Sequence, residues 1–176
     1  MCVFEKVDGV EISETGYGRE VMYAYGRALG RLHALSSGYV PAVRKRDHKK
    51  ILEGIRRTLE EYGGCRQAFT ELAAVERELG RLPVTTENYG LVHYDFEPDN
   101  VFWDEGKKKC SVIDFDDGIY CWYGLDLEQV RDFLAEELEG EQLEKAWRDF
   151  QEGYACEYAY PEETRELLPL MRRFVD

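Results

Sequence analysis

Three polar residues in the middle of the chain have the types and spacing of a site for a hard cation. Asp95 precedes Asn100 by five residues with Pro98 between them to bend the chain, and Asp114 follows a short hydrophobic run. Carboxylate and amide oxygens are ligands that Mg²⁺ accepts, and Mg²⁺ uses few protein carboxylates. We therefore treat Asp95, Asn100 and Asp114 as one candidate site.

A predicted β-hairpin would bring Asn100 and Asp114 together. Two β-type runs, 101–103 and 111–113, flank turn-forming residues, and we expect the loop to span residues 105–109. This register places Asn100 directly opposite Asp114, and Cβ atoms of opposed residues lie about 4.5–5.5 Å apart. One or two hard cations would fit at this open end of the hairpin, where Asp95 curls back.

Further carboxylates lie around this end of the hairpin. Asp116 and Asp117 come just after Asp114, and Asp99 lies beside Asn100. So many carboxylates in one place cost free energy unless positive charge neutralises them, and a metal–nucleotide complex is one candidate. Taken singly, Asp99, Asp116 and Asp117 are interpreted as turn and helix-capping residues.

The elements around this insert are predicted to be helical. Apolar residues recur at helical spacing over 17–36, over 51–62 after an N-cap at Asp47 and before Gly63-Gly64, over 69–79, and from Leu125 onward. A short strand is expected at 3–7, followed by a turn. The fold class is therefore α+β, mainly helical, with a small β-hairpin insert that carries the polar residues.

Composition restricts the possible partners. The chain has 176 residues and a mass of 20.5 kDa, a length that indicates one domain. Its net charge is −13. This charge argues against nucleic acid and anionic membrane as partners. No apolar run is long enough to span a membrane, and the polar start is not that of a signal peptide. The five scattered cysteines are interpreted as reduced thiols, so we expect a cytoplasmic protein.

The motifs are similar to those of a known family. Residues 93–100 read HYDFEPDN, which fits HxDxxxxN, and a hydrophobic run ending in IDFD (113–116) follows. This pattern resembles the catalytic and metal loops of the aminoglycoside phosphotransferase family, which is related to choline and homoserine kinases within the protein-kinase-like fold. Segments 3–9, 26–35 and 123–127 resemble further family elements in the same order, so the likeness covers essentially the whole chain.

The resemblance implies an ATP-dependent kinase. Asp95 would be the catalytic base for a small-molecule hydroxyl, and Asn100 and Asp114 would bind Mg²⁺ that bridges the ATP phosphates. His93 would brace the catalytic loop. Asp126 would either accept backbone N–H bonds from that loop or cap the helix that begins at Leu127.

Three residues depart from the family pattern without removing a catalytic group. Tyr94 stands where the family usually has Gly, and Asp116 stands where a Gly is common in the metal motif. Glu97 stands where protein kinases carry a Lys. A carboxylate there would repel phosphate and attract a cationic substrate, and Asp116 and Asp117 also lie in the substrate or phosphate vicinity.

The resemblance also predicts the domain organisation. Residues 1–12 would be an inter-lobe linker whose Phe4, Glu5 and Val7 contact the nucleotide, and residues 13–176 would form the C-terminal catalytic and substrate lobe. We expect this chain to lack the N-terminal nucleotide lobe, with its glycine-rich loop and Lys, and a separate chain is one possible source of that lobe. The alternative is a non-catalytic remnant or binding module.

Several residues with chemical potential are given structural interpretations. His33 is expected to be packed beside Leu32 and Leu35, and His48 to face solvent. The basic run 44–50 lacks interleaved aromatic residues and is interpreted as a solvated loop and helix start. The aromatic residues Tyr120, Trp122 and Tyr123 are expected either in the core or in a pocket wall.

Overall fold

The structure, a computed structural model, describes residues 6–159 and 163–176. Its helices are Arg19–Ser37 (α1), His48–Tyr62 (α2), Arg66–Leu79 (α3), Gly124–Glu137 (α4), Gly140–Glu157 (α5) and Glu163–Val175 (α6). Its strands are Val10–Glu11 (β1), Tyr89–Val92 (β2), Val101–Asp104 (β3), Lys109–Val112 (β4) and Ile119–Trp122 (β5). The predicted helical chain with a central β insert is confirmed.

The ends of α2 follow from its flanking residues. The Asp47 carboxylate accepts a hydrogen bond from the backbone N–H of Lys50 at 3.1 Å, which satisfies a free donor of the first turn. Gly63 ends the helix in the left-handed conformation at φ 69°. Both signals were read correctly from the sequence.

The strands form two small antiparallel sheets. One has the order β1-β3-β4, and the other pairs β2 with β5. Val10 and Glu11 pair with β3, and the Ile12 that follows is fully buried and donates its backbone N–H to the Pro98 carbonyl at 2.9 Å. The last residues of the expected linker 1–12 are thus joined to the sheet. Of the strand expected at 3–7, only Lys6 and Val7 are described, and they are not in a strand.

The close contact between α1 and α5 organises the main core. A Cβ at Gly26 would meet the Phe150 carbonyl oxygen at 1.9 Å, and a Cβ at Gly153 would lie equally close to the Tyr23 carbonyl oxygen. Only glycine allows the two helix backbones to approach this closely. Tyr25 of α1 reaches past this contact, where its ring stacks on Phe96 at 5.0 Å and its hydroxyl donates to the Phe96 carbonyl at 2.8 Å. The core therefore contacts, through Tyr25 and Phe96, the loop that carries Asp95 and Asn100.

The structure contains no candidate membrane span in the ranges that it describes. None of the helices there combines the length and the apolar character that crossing a lipid bilayer requires.

Candidate functional site

The loop of residues 93–100, between β2 and β3, holds Asp95 and Asn100 in direct contact. The Asn100 side-chain amide donates to the Asp95 Oδ2 atom at 2.8 Å and to the Asp95 backbone carbonyl at 3.1 Å. The backbone N–H of Asn100 donates to the Glu97 carbonyl at 3.1 Å, which closes the loop. Both side chains are half-buried.

The contact between Asn100 and Asp95 determines which of their side-chain oxygen atoms can bind a cation or accept a proton. Because Asn100 uses its Nδ2 group towards Asp95, its Oδ1 atom is left to act as a ligand. The Asp95 carboxylate has one oxygen engaged by the amide and a second oxygen that is able to accept a hydroxyl proton. The pair thus combines a neutral oxygen ligand with an oriented carboxylate.

The hairpin exists, but the predicted register is wrong by one residue. Val101 pairs with Val112 and Asp104 with Lys109, so the loop spans only 105–108. The cause lies in the turn, where the Asp104 carboxylate accepts the Lys107 backbone N–H at 3.0 Å and Lys108 takes a left-handed conformation at φ 51°. Asn100 therefore lies opposite Ile113, whose N–H donates to the Asn100 carbonyl at 3.0 Å.

Asp114 follows directly after this last contact of the hairpin and turns away from the strand direction. Its φ is +58°, a left-handed conformation that Asp tolerates better than most residues, and it is exposed. Within the described ranges, no three His, Cys, Asp or Glu residues gather as a metal site. An exposed carboxylate and an amide oxygen nevertheless suit a cation such as Mg²⁺, which takes its other ligands from water and phosphate.

Asp126 fixes the start of the 93–100 loop. Its buried carboxylate accepts the backbone N–H groups of His93 and Tyr94, both at 2.9 Å, and the Nε2 atom of His33 lies 3.1 Å away. Asp126 thus accepts N–H bonds from the loop and does not cap a helix. The helix α4 begins before Asp126, and its N-cap is Tyr123.

His33 and His93 are both fully buried. Since the Asp126 carboxylate only accepts, His33 donates from Nε2 and its Nδ1 atom faces the Tyr154 hydroxyl at 2.8 Å. The expectation that His33 is packed holds, but its link between α5 and the 93–100 loop was missed. The His93 Nε2 atom lies 2.8 Å from the Ile113 carbonyl, so this ring ties the 93–100 loop to the residue before Asp114.

Tyr94 and Glu97 show the physical effect of the departures from the family pattern. Tyr94 has φ 71°, a conformation that glycine adopts easily and tyrosine rarely, and its carbonyl accepts a hydrogen bond from Gln129 at 2.8 Å. Partial burial raises the pKa of Glu97, and the nearby Asp95 and Asp99 carboxylates raise it further. Glu97 also borders a hollow of 130 Å³ whose lining includes the acidic residues Asp132 and Glu136.

The basic run 44–50 is not merely solvated, contrary to our expectation. The Lys45 ammonium donates to the carbonyl oxygens of Phe115 and Asp116 at 2.6 and 2.8 Å, and Arg46 pairs with Asp117 at 3.3 Å. Asp116 and Asp117 are exposed, as turn residues are. No pattern within the run indicates these contacts, because they join residues about 70 positions apart.

His48 is buried, and its predicted solvent exposure is wrong. It opens α2 with its ring 4.6 Å from that of Trp122 and its Nδ1 atom 2.8 Å from the Tyr89 hydroxyl. The charged neighbours suggested exposure, but the first turn of α2 directs this position inward. Trp122 and Tyr123 belong to the core, whereas Tyr120 is half-buried beneath the Arg44 guanidinium.

The expected hinge contacts lie mostly outside the described residues. Phe4 and Glu5 are not described, and Val7 is half-buried in irregular structure next to β1. Their assignment to a nucleotide remains a prediction.

This helical lobe, with its hairpin and the loops on either side of it, has the protein-kinase-like fold of small-molecule phosphotransferases. An amicoumacin kinase solved in complex with AMP-PNP, Ca²⁺ and Ami superposes with a TM-score of 0.76 at 20% identity, over 97% of this chain and 54% of that one. A microcompartment-associated aminopropanol kinase gives a TM-score of 0.67 at 25% identity, over 96% of this chain and 55% of that one.

The chain belongs to the phosphotransferase enzyme family, whose model matches residues 1–164. The amicoumacin kinase of Bacillus subtilis (strain 168) is 33% identical over a region that covers 71% of this chain and 37% of that protein. The chain therefore spans little more than a third of that relative and about half of the solved structures. The family suggested by the sequence motifs is confirmed.

Proposed function

We propose that residues 13–176 form the catalytic and substrate lobe of an ATP-dependent kinase that transfers the γ-phosphoryl group to a hydroxyl of a small molecule. The observation that carries this proposal is the hydrogen bond between the Asn100 amide and the Asp95 carboxylate. It leaves one oxygen of each side chain for chemistry, on a loop that the buried Asp126 anchors. Phosphoryl transfer needs mainly such positioning and charge neutralisation.

In this proposal Asp95 is the catalytic base. The amide of Asn100 fixes the rotation of the carboxylate by binding Oδ2, so the other oxygen faces the acceptor hydroxyl and receives its proton. The half-burial of Asp95 keeps this oxygen near solvent and substrate. A base in a fixed orientation removes part of the entropic cost of aligning the hydroxyl with the phosphorus atom.

Asn100 and Asp114 are the proposed ligands of Mg²⁺. Mg²⁺ would neutralise the charge of the phosphate oxygens during transfer. The contact of the His93 ring with the Ile113 carbonyl joins the two ligand-bearing segments, since Ile113 immediately precedes Asp114. The Ile113 N–H donates to the Asn100 carbonyl, so Asp114 directly follows the residue that lies opposite Asn100.

The proposed acceptor carries an amine as well as a hydroxyl. Glu97 and Glu136 line the small hollow beside the 93–100 loop together with Asp132, whose carboxylate pairs with Arg172. An ammonium group there would relieve the repulsion between Glu97 and Glu136. The relatives are named as kinases of amicoumacin and of aminopropanol, which supports a small-molecule acceptor.

Calorimetric titration with ATP, with and without Mg²⁺, tests the metal and nucleotide assignment. We expect Mg²⁺-dependent binding that Asp114→Ala abolishes and Asp95→Asn leaves largely intact. Glu105→Gln is the matched control, because it removes an exposed carboxylate from the turn at the opposite end of the hairpin. Binding that survives Asp114→Ala unchanged would contradict the metal assignment, and no binding at all would favour the alternative of a non-catalytic module.

A further inference from the structure

The Asp114 loop (residues 114–118) has little to hold it in place by itself. Residues 114–117 are exposed, including the Phe115 ring at 46%, and the loop's own backbone contact is the bond from the Gly118 N–H to the Phe115 carbonyl at 3.3 Å. Asp114 also has the uncommon left-handed backbone conformation. A carboxylate on such a loop is well directed only if contacts from elsewhere fix the backbone.

The Phe115 ring lies 4.8 Å from the His93 ring, and the contacts to the backbone of the loop come from residues 44–46, which we name the basic strap. The Lys45 ammonium bridges two successive carbonyl oxygens, of Phe115 at 2.6 Å and of Asp116 at 2.8 Å. Arg46 adds an ion pair with Asp117 at 3.3 Å. The ammonium thus binds the carbonyl groups of the two residues that directly follow Asp114.

The basic strap is itself fixed by its neighbours. The Arg46 carbonyl accepts the Tyr120 backbone N–H at 2.9 Å, and the Arg44 guanidinium lies 5.0 Å from the centre of the Tyr120 ring. Asp47, next along the chain, forms a β-bridge with Tyr120 and caps α2. Lys45 therefore extends from an anchored segment, and its two hydrogen bonds connect α2 and β5 to the Asp114 loop.

We propose that Lys45 is a positioning residue that fixes the Phe115–Asp116 backbone and so sets the direction of the Asp114 carboxylate. This inference rests on the proposed function in so far as Asp114 binds a divalent cation. The Lys45 charge also offsets the carboxylates of the Asp114 loop, which repel one another while no cation is bound. Groups that orient a metal ligand typically change metal affinity about 10- to 100-fold when they are removed.

The test compares Lys45→Met with Lys45→Arg in the 176-residue chain. Met keeps the aliphatic stem but cannot donate, whereas Arg keeps the charge and several donors. Lys49→Met is the matched control. Lys49 is exposed on the first turn of α2, so this substitution removes the same charge at a nearby position. Nitrogen-15 relaxation reports the order of the amides at residues 115–117, and Mn²⁺ titration followed by electron paramagnetic resonance reports cation affinity.

We expect Lys45→Met to lower the amide order parameters from about 0.85 to below 0.6 and to weaken Mn²⁺ binding about tenfold. Lys45→Arg should restore both quantities, and Lys49→Met should change neither. Unchanged order parameters in Lys45→Met, or an equal loss in Lys49→Met, would overturn the inference. Mn²⁺ binding that Asp114→Ala does not alter would instead refute the metal assignment, and the order parameters alone would then decide the role of Lys45.

Discussion

Replacing Asp126 tests whether one carboxylate holds the 93–100 loop. The side chain is fully buried and accepts hydrogen bonds from the backbone N–H groups of His93 and Tyr94 and from the His33 ring. Asp126→Ala leaves these donors buried without an acceptor. A hydrogen bond to a charged group contributes about 1.5–3 kcal/mol, and removing one partner of a buried pair costs about 3–5 kcal/mol. Because the three bonds share one group, we expect a loss of about 4 kcal/mol in the free energy of unfolding.

Asp126→Asn is the more discriminating variant. Oδ2 faces His93 and His33 and Oδ1 faces Tyr94, so either orientation of the amide turns an NH₂ group towards a donor. At nearly unchanged volume, we expect this variant to lose about 2–3 kcal/mol. Asp132→Asn is the control, since it breaks only a partly exposed ion pair with Arg172 and should cost less than about 1 kcal/mol.

Urea denaturation followed by circular dichroism and tryptophan fluorescence measures these differences. The free energy of unfolding comes from linear extrapolation to zero urea. An unchanged slope against urea concentration shows that the variant exposes the same amount of surface on unfolding as the wild type. If Asp126→Asn lay within about 1 kcal/mol of the wild type, the carboxylate would not hold the loop in the way we argue.

Three further predictions concern packing, pH and chemistry. Gly26→Ala places a Cβ against the Phe150 carbonyl and should lower the free energy of unfolding by about 3 kcal/mol or more. Gly54→Ala is the control, because Gly54 has open space around it in α2, and it should raise the free energy of unfolding by about 0.5–1 kcal/mol. Burial raises the pKa of Glu128 from 4.5 to about 7, so stability should fall as pH rises from 5 to 8, and Glu128→Gln should remove roughly 2–3 kcal/mol of that fall; an identical pH profile would refute this. Under the proposed function, Asp95→Asn should abolish phosphoryl transfer, and near-normal turnover would rule out its role as base.

Local signals in the sequence were sufficient for the helices. The N-cap at Asp47, the left-handed Gly63 and the apolar spacing between them depend on neighbouring residues, so α2 could be read directly. The hairpin was also found, but its register was not. The hydrogen bond from the Lys107 N–H to the Asp104 carboxylate accompanies a loop that is one residue shorter than predicted, so every cross-strand pair of the hairpin is shifted by one residue.

Contacts between distant segments could not be read from the sequence. Lys45 and His48 lie in a charged run that is typical of a solvated surface, yet one binds the Asp114 loop and the other is buried against Trp122. Their environment is decided by how α2 packs on β5. For the candidate site, the residues and their order could be proposed from the sequence, and the supporting contacts required the fold.

The hydrogen bonds from Tyr154 to His33 and from His33 to Asp126 have a consequence for cooperativity. They tie the 93–100 loop to α1, α4 and α5, which meet in the buried core. Opening the loop alone would expose these buried groups, so its free energy of opening approaches that of global unfolding. The amides of His93 and Tyr94 should then be among the slowest in the chain to exchange with solvent, and the loop would become ordered only when α5 docks during folding.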